Sequence, residues 1–360
     1  CNVLQNIFNI TYFCKALNLH KITFFYFILA IMIFSCSSDS KLELVKPARL
    51  ELGDTIAFCA PSGFLDSSRM SLAKKRLIEK GFHIVYDDSL FRNWGYLAGK
   101  DIIRANELMT YFEDKSIKAI FPGTGGYGAT RILSLLDYNI INDNPKIFIG
   151  FSDITALHIA FNGLSKLVTF HTPNPMYGLG SDKGLEPISE LYFWSLLMNS
   201  EDDYEIPFDI YGDSLKVKTL VEGVSSGILV GGNLSLICSA MGSMYEISTG
   251  NSILFIEDVG ESPYRVDRYL QELKLAGKFD GVKGVVIGRF SRRRSEAPDK
   301  PTDFTMEEVF KQYFSKSEFP VIYNFPSGHG AKNISLPLGI LAEINTDTQV
   351  FRLLESPVKN

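Results

Sequence analysis

The chain has 360 residues, 46% apolar and 21% charged, so it can bury a sizeable core, and its length suits two domains. A net charge of −5 removes the electrostatic ground for a nucleic-acid or polyphosphate partner. The histidines His20, His83, His158, His171 and His329 are scattered, without a His-x-x-x-His pair, and no Cys-x-x-Cys occurs. Neither a metal nor another cofactor is therefore expected.

Near the N-terminus, Ile22–Phe34 is a short apolar run preceded by Lys15, His20 and Lys21 and followed by Ser35-Cys36. A short run with a basic flank and a small residue before cysteine reads as a secretory signal of the lipoprotein type, here residues 1–35. Cleavage would leave Cys36 to carry the lipid. A spanning helix would need about 20 residues. The expected location is the cell envelope, lipid-anchored and facing the periplasm or cell exterior. Past that segment, Cys59 in a strand pattern and Cys238 in an apolar helical run read as inert core thiols.

A polar tether over 36–49 leads into alternating strand and helix patterns. DTIAFCAP reads as a strand, and SSRMSLAKKRLIEKG as a helix opened by serine and closed by Gly81. FHIVY, IKAIFPG and KIFIG are strands, while DIIRANELMTYFED, ATRILSLLD and the segment after Ser152 are helices. The alternation predicts an α/β domain over 50–200, a mainly parallel sheet with helices on both faces. The loops GTGGYG and Gly150-Phe151-Ser152 each follow a strand, so both are expected at one sheet edge. The polar, acidic stretch 201–213 reads as a linker. Beyond it, the strands GILVGGN, SILFIED, GVKGVVIGRF, PVIYNF and GILAEINT interleave with the helices SPYRVDRYLQELKLAG and TMEEVFKQYFSKS. They predict a second α/β domain over 214–360. The charged, proline-containing segment SRRRSEAPDKPTD reads as a solvated surface loop.

In KIFIGFSDITALHIAF a strand ends at Gly150, one residue intervenes, and Ser152 precedes a helix. That order puts a hydroxyl on a tight strand-to-helix corner, with the N–H groups of the new helix aimed at the same spot. Ile154 stands where Gly-x-Ser-x-Gly would have its second glycine, and the same pattern also serves as a helix N-cap. Glu257 closes a strand and His329 lies in the turn PSGHG, giving the chain order Ser…Glu…His that strand-corner hydrolases use. Neighbours on a strand face opposite ways, so only one of Glu257 and Asp258 can serve, and position alone leaves both open. His171, in TFHTPNP, is the rival to His329 as base, or else a residue lining the cleft. His158, six residues after Ser152, lies too far along the helix. GTGGYG matches neither phosphate-binding glycine pattern. Its small residues suit close approach of backbone N–H groups to a reacting carbonyl, and Gly126 (preferred over Gly125) and Asp153 are the expected oxyanion donors.

The segments IAFCAPSG, GTGGYGATRIL, IGFSDITAL, TFHTPNPM, LVGGNLSLI, ILFIEDVGESPYRVDRYL, GVVIGRF and SGHGAKNISLPLG resemble the LD-carboxypeptidase family, in that family's order. The resemblance implies Ser152 as nucleophile, Glu257 as the acid orienting the base, and His329 as that base. It also implies a C-terminal domain of the swivelling β/α/β type, and removal of the terminal D-alanine from a murein tetrapeptide. The family usually has arginine before the paired glycines, where this chain has Thr124. A carboxypeptidase must also hold a free carboxylate, for which Arg131 is the candidate, with a structural ion pair as its alternative role. Two other readings are a hydrolase of peptidyl-nucleotide antibiotics of the microcin C type and a non-catalytic muropeptide-binding lipoprotein. The intact Ser/Glu/His set argues against the second. The expected partners are a peptidoglycan-derived tetrapeptide, the membrane through the N-terminal lipid, and a second copy of the chain in a homodimer.

Overall fold

Near-continuous apolar runs such as Ile147–Gly150 must be buried on both sides, the condition for a parallel sheet covered by helices. The computed structural model describes residues 44–201, 204–291 and 303–360. The apolar run Ile22–Phe34, Cys36 and the arginine-rich segment 292–302 lie outside the described residues.

Strands β1 (Thr55–Cys59), β2 (His83–Val85), β3 (Ile117–Pro122), β4 (Ile147–Gly150) and β5 (Thr169–His171) form the parallel sheet predicted. Alternate residues face opposite layers, as the strand period requires. Ile56 and Phe58 pack with Met70, Ala73 and Leu77 of the helix Ser67–Lys80, on the same side as the helix Pro187–Met198. Ala57 and Cys59 pack on the other side with Ala105, Leu108 and Phe112 of the helix Asp101–Glu113. ATRILSL is a 3-10 turn, Ala129–Leu135, rather than an α-helix.

A second, mixed sheet takes in β6 (Glu205–Pro207), β7 (Lys218–Val221), β8 (Val224–Asn233), β9 (Ser252–Val259), β10 (Gly284–Ser291) and β11 (Val321–Tyr323). Past β12 (Leu336–Leu338), β13 (Leu341–Asn345) and β14 (Val350–Leu353) complete it, in the order β6-β14-β13-β8-β9-β10-β11-β7. β8 to β11 are parallel and the flanking strands antiparallel. Leu254, Ile256, Val285 and Ile287 face the helices Pro263–Leu275 and Met306–Phe314. Ile253, Phe255 and Val286 face the other way, into the same apolar cluster as Ile56, Phe58 and Phe193 of the first half. The two sheets thus share one core.

Two features depart from a pair of beads on a linker. The stretch read as a linker is structured where it is described: β6 pairs with β14, and Tyr204, Ile206, Phe208 and Tyr211 are buried in the shared core. Buried Tyr204, Ile206 and Phe208 alternate with exposed Glu205, Pro207 and Asp209, and that period outweighs the acidic composition. β12, although far along the second half, joins the first sheet, antiparallel to β5 with Leu336 opposite His171. The end of the expected tether is likewise anchored, by the Val45–Leu167 and Ala48–Lys359 bridges and a 2.8 Å Lys46–Glu355 ion pair.

Candidate active site

At the end of β4 the backbone turns sharply. Gly150 has φ 139°, Phe151 is extended, and Ser152 has φ 63°, a left-handed conformation rare for a side-chain-bearing residue. Such a residue costs about 1–3 kcal/mol and is characteristically found where geometry matters more than stability. The N-cap alternative does not hold, because neither Ser152 nor Asp153 makes a capping bond to the turn Ser152–Ile154 or the helix Thr155–Ala160. Against the corner lies Gly125. A Cβ there would sit 3.0 Å from Ser152 Cβ, 3.2 Å from Ser152 Oγ and 3.1 Å from the Asp153 nitrogen. Only glycine lets the GTGGYG loop approach so closely. The N–H groups of Gly126 and Asp153 make no backbone hydrogen bond, which leaves both open to a ligand oxygen.

The opposing wall comes from the second sheet. Glu257 follows Phe255 on the face of β9 turned toward the first half, and it is fully buried. Its Oε2 accepts a 2.7 Å hydrogen bond from His329 Nδ1 and a 3.2 Å bond from the His329 backbone N–H. Its Oε1 lies 3.4 Å from Asn233 Nδ2. Asp258 points the other way, accepting from Asn233 Nδ2 and from the N–H groups of Ser235 and Val259 at 2.8–2.9 Å. Geometry therefore selects Glu257 over Asp258 as the partner of His329. Burial, helped by the Glu257 charge, pushes the Asp258 carboxyl up to about 6. The turn at His329 depends on Gly328, with φ 115°, where a Cβ would lie 2.6 Å from Glu257 Oε2. Asn333 Oδ1 holds the Gly328 N–H at 2.9 Å.

The His329 ring packs on Phe151, centroids 4.7 Å apart, so the histidine stands beside the residue preceding Ser152. Nδ1 is committed to Glu257, which leaves Nε2 as the nitrogen available to the serine. The serine and histidine are not hydrogen-bonded here, a gap of the kind that closes on substrate binding.

Other expected residues take different places. His171 does not line the cleft. It is fully buried between Phe151 and Phe255, on a strand that β12 covers, and both ring nitrogens lack hydrogen-bond partners. Burial holds its pKa well below the usual histidine range, so it stays neutral. His158 Nε2 donates to the Gly150 carbonyl at 2.9 Å, and burial lowers its pKa to about 4. Arg131 forms a two-pronged ion pair with Asp101 at 2.9–3.1 Å, its structural alternative. Thr124 is buried. Cys59 and Cys238 are free and buried, and burial pushes both thiols up. Among the described residues no group of three His, Cys, Asp or Glu is placed to hold a metal. Asn233, between the two acids, and Ser62, against Asp153, escaped sequence reading. The one local signal was Asn233's place at a strand end before a helix, where it caps Leu236.

The profile of the LD-carboxypeptidase N-terminal domain matches residues 56–172, and that of the LD-carboxypeptidase C-terminal domain matches residues 226–344. A probable murein peptide carboxypeptidase of Bacillus subtilis is 35% identical over 302 residues, covering 84% of this chain and 92% of that protein. A murein tetrapeptide carboxypeptidase of Pseudomonas aeruginosa is 29% identical, over 79% of this chain and 91% of the relative. The solved structure of the microcin C7 self-immunity protein MccF in complex with aspartyl sulfamoyl adenosine superposes with a TM-score of 0.78 at 26% identity. It covers 88% of this chain and all of that one.

Proposed function

The chain belongs to the LD-carboxypeptidase family, and from that premise we propose that it removes the terminal D-alanine of murein tetrapeptides, using Ser152, His329 and Glu257. The observation carrying this reading is the 2.7 Å Glu257–His329 pair, set on the second sheet but packed against the corner that bears Ser152. Glu257 keeps the proton on Nδ1, so Nε2 presents a lone pair to the serine. His329 takes the Ser152 proton as Oγ attacks the amide carbonyl before D-alanine. The N–H groups of Gly126 and Asp153 receive the developing oxyanion, and losing one such donor typically costs roughly 3–4 kcal/mol. His329 then gives its proton to the departing amine. A water, deprotonated by the same nitrogen, attacks the acyl-serine and frees the tripeptide.

Likeness to the self-immunity protein supports a second reading, hydrolysis of a peptidyl-nucleotide. The higher identity to the Bacillus relative favours murein. The purified protein should release D-alanine from a defined muropeptide tetrapeptide. Turnover of an aminoacyl sulfamoyl nucleoside with no D-alanine release would reverse the choice. The apolar run before Cys36 supports action outside the cytoplasm, as a lipid-anchored protein. Cys36→Ala should then leave an unprocessed precursor or free the protein from membranes, whereas unmodified wild-type protein found wholly in the cytosol rejects the anchor.

A further inference from the structure

The carboxylate of Asp153 is buried beside the corner and has no place in the chemistry above. It is 1% exposed, yet it does not cap its own helix. Its Oδ2 instead accepts the Ser62 hydroxyl and, at 2.8 Å, the Ala129 N–H. These two partners lie on separate loops, one after β1 and one at the end of GTGGYG. The next residue after Ser62 continues the chain of contacts, since the Gly63 N–H donates to the Gly125 carbonyl at 3.0 Å.

That last bond fixes a peptide plane. In a trans peptide the carbonyl and the following N–H point in opposite directions. With the Gly125 carbonyl turned to Gly63, the Gly126 N–H is turned away from it, and Ser152 occupies the other flank of Gly125. Fully buried Arg104 braces the same loops from below. It donates to the carbonyls of Pro61, Gly99 and Gly128, and its charge bears on Asp153.

We infer that the Asp153 side chain is a positioning residue for the oxyanion hole, acting through Ser62 and Gly63 to aim the Gly126 N–H while its own backbone N–H supplies the second donor. One residue thereby sets both donors relative to the serine before it. The inference rests on the serine-hydrolase reading and goes beyond it by assigning roles to Ser62, Gly63 and a carboxylate that touches no substrate.

The test uses Ser62→Ala and Asp153→Asn in the full protein. It reads kcat and KM on the tetrapeptide, the rate at which a fluorophosphonate probe labels Ser152, and the melting temperature. The phosphonyl oxygen of the adduct occupies the oxyanion position, so the probe reports donor placement without the natural substrate. The expected result for Ser62→Ala is a fall in kcat of about 10- to 100-fold with KM within about threefold, and a matching fall in labelling rate. Asp153→Asn should fall at least as far. If it does not fold, Ser62→Ala alone decides. A folded Ser62→Ala protein with kcat and labelling within about twofold of wild type overturns the inference, as does a loss confined to KM. A wild-type protein that the probe never labels at Ser152 would instead sink the serine-hydrolase reading, and the inference with it.

Discussion

The two walls of the site are built by different means. The serine wall is a backbone construction: a left-handed Ser152, Gly150 at φ 139°, and Gly125 pressed close enough to touch the hydroxyl. The histidine wall is a side-chain construction, in which a buried carboxylate accepts both the ring and the backbone N–H of His329 while Asn233 holds its second oxygen. A backbone construction fails when a side chain is added, because nothing can move aside. A side-chain construction fails when a hydrogen-bonding atom is changed, even if the shape is kept. The contrast predicts which substitutions matter on each side, and how much.

The largest effect should come from Ser152→Ala, a fall in kcat of roughly 10⁴- to 10⁶-fold in a protein that still folds. Retention of a tenth of wild-type turnover would remove Ser152 from its role and end the comparison. Next comes Glu257→Gln, which keeps the shape and removes the charge. It should lower kcat by up to about 10⁴-fold, since the amide no longer enforces the tautomer. A loss under tenfold would mean that packing, not the hydrogen bond, holds His329. Gly125→Ala adds one methyl group 3.0–3.2 Å from the serine side chain. About a 10- to 100-fold loss in kcat is expected, with little change in melting temperature, because the clash displaces the serine rather than the core. A folded variant of full activity would show that the loop has slack.

The smallest effect concerns Asp258, whose carboxyl is pushed up to about 6 by burial and by Glu257. An acid with a raised folded-state pKa favours the native state when protonated. Its contribution is complete below the unfolded value near 4 and is lost as pH rises through 6. Asp258→Asn should therefore flatten stability against pH between about 4 and 6, by on the order of 2 kcal/mol across the window. Urea midpoints for both proteins at a series of pH values measure it. A wild-type-minus-variant difference that stays constant over the window would show that Asp258 titrates normally.

Much of the serine wall was legible from residue order alone. Strands β1, β3 and β4 lie in apolar runs bounded by turn residues, and a glycine, one residue and a serine at a strand end define a corner. The histidine wall was less so. Glu257 and His329 stand 72 residues apart; chain order offered both, but the choice of Glu257 over Asp258 came through family resemblance rather than any local pattern. His171 was misplaced, and Arg131 was left between two roles, for a related reason: their surroundings come from remote sequence. Asp101, which holds Arg131, lies 30 residues earlier, and β12, which covers His171, is a three-residue strand with no period of its own. Ser62 carried no signal, because a serine after a strand has many uses and only the fold brings Asp153 to it.

The pairing of β12 with β5 also orders events during synthesis. The edge of the sheet that carries the Ser152 corner must wait for Leu336–Leu338, residues made long after Thr169–His171. At about 5–20 residues per second, the ribosome leaves that edge open for on the order of ten seconds. Through that interval the nascent chain exposes the unpaired outer edge of β5, the kind of edge that pairs with other chains. Truncation anywhere before residue 336 makes the interval permanent. Early termination products of this protein should therefore aggregate rather than accumulate as a folded first half, and nucleophile and base should become competent together, at the end of the chain.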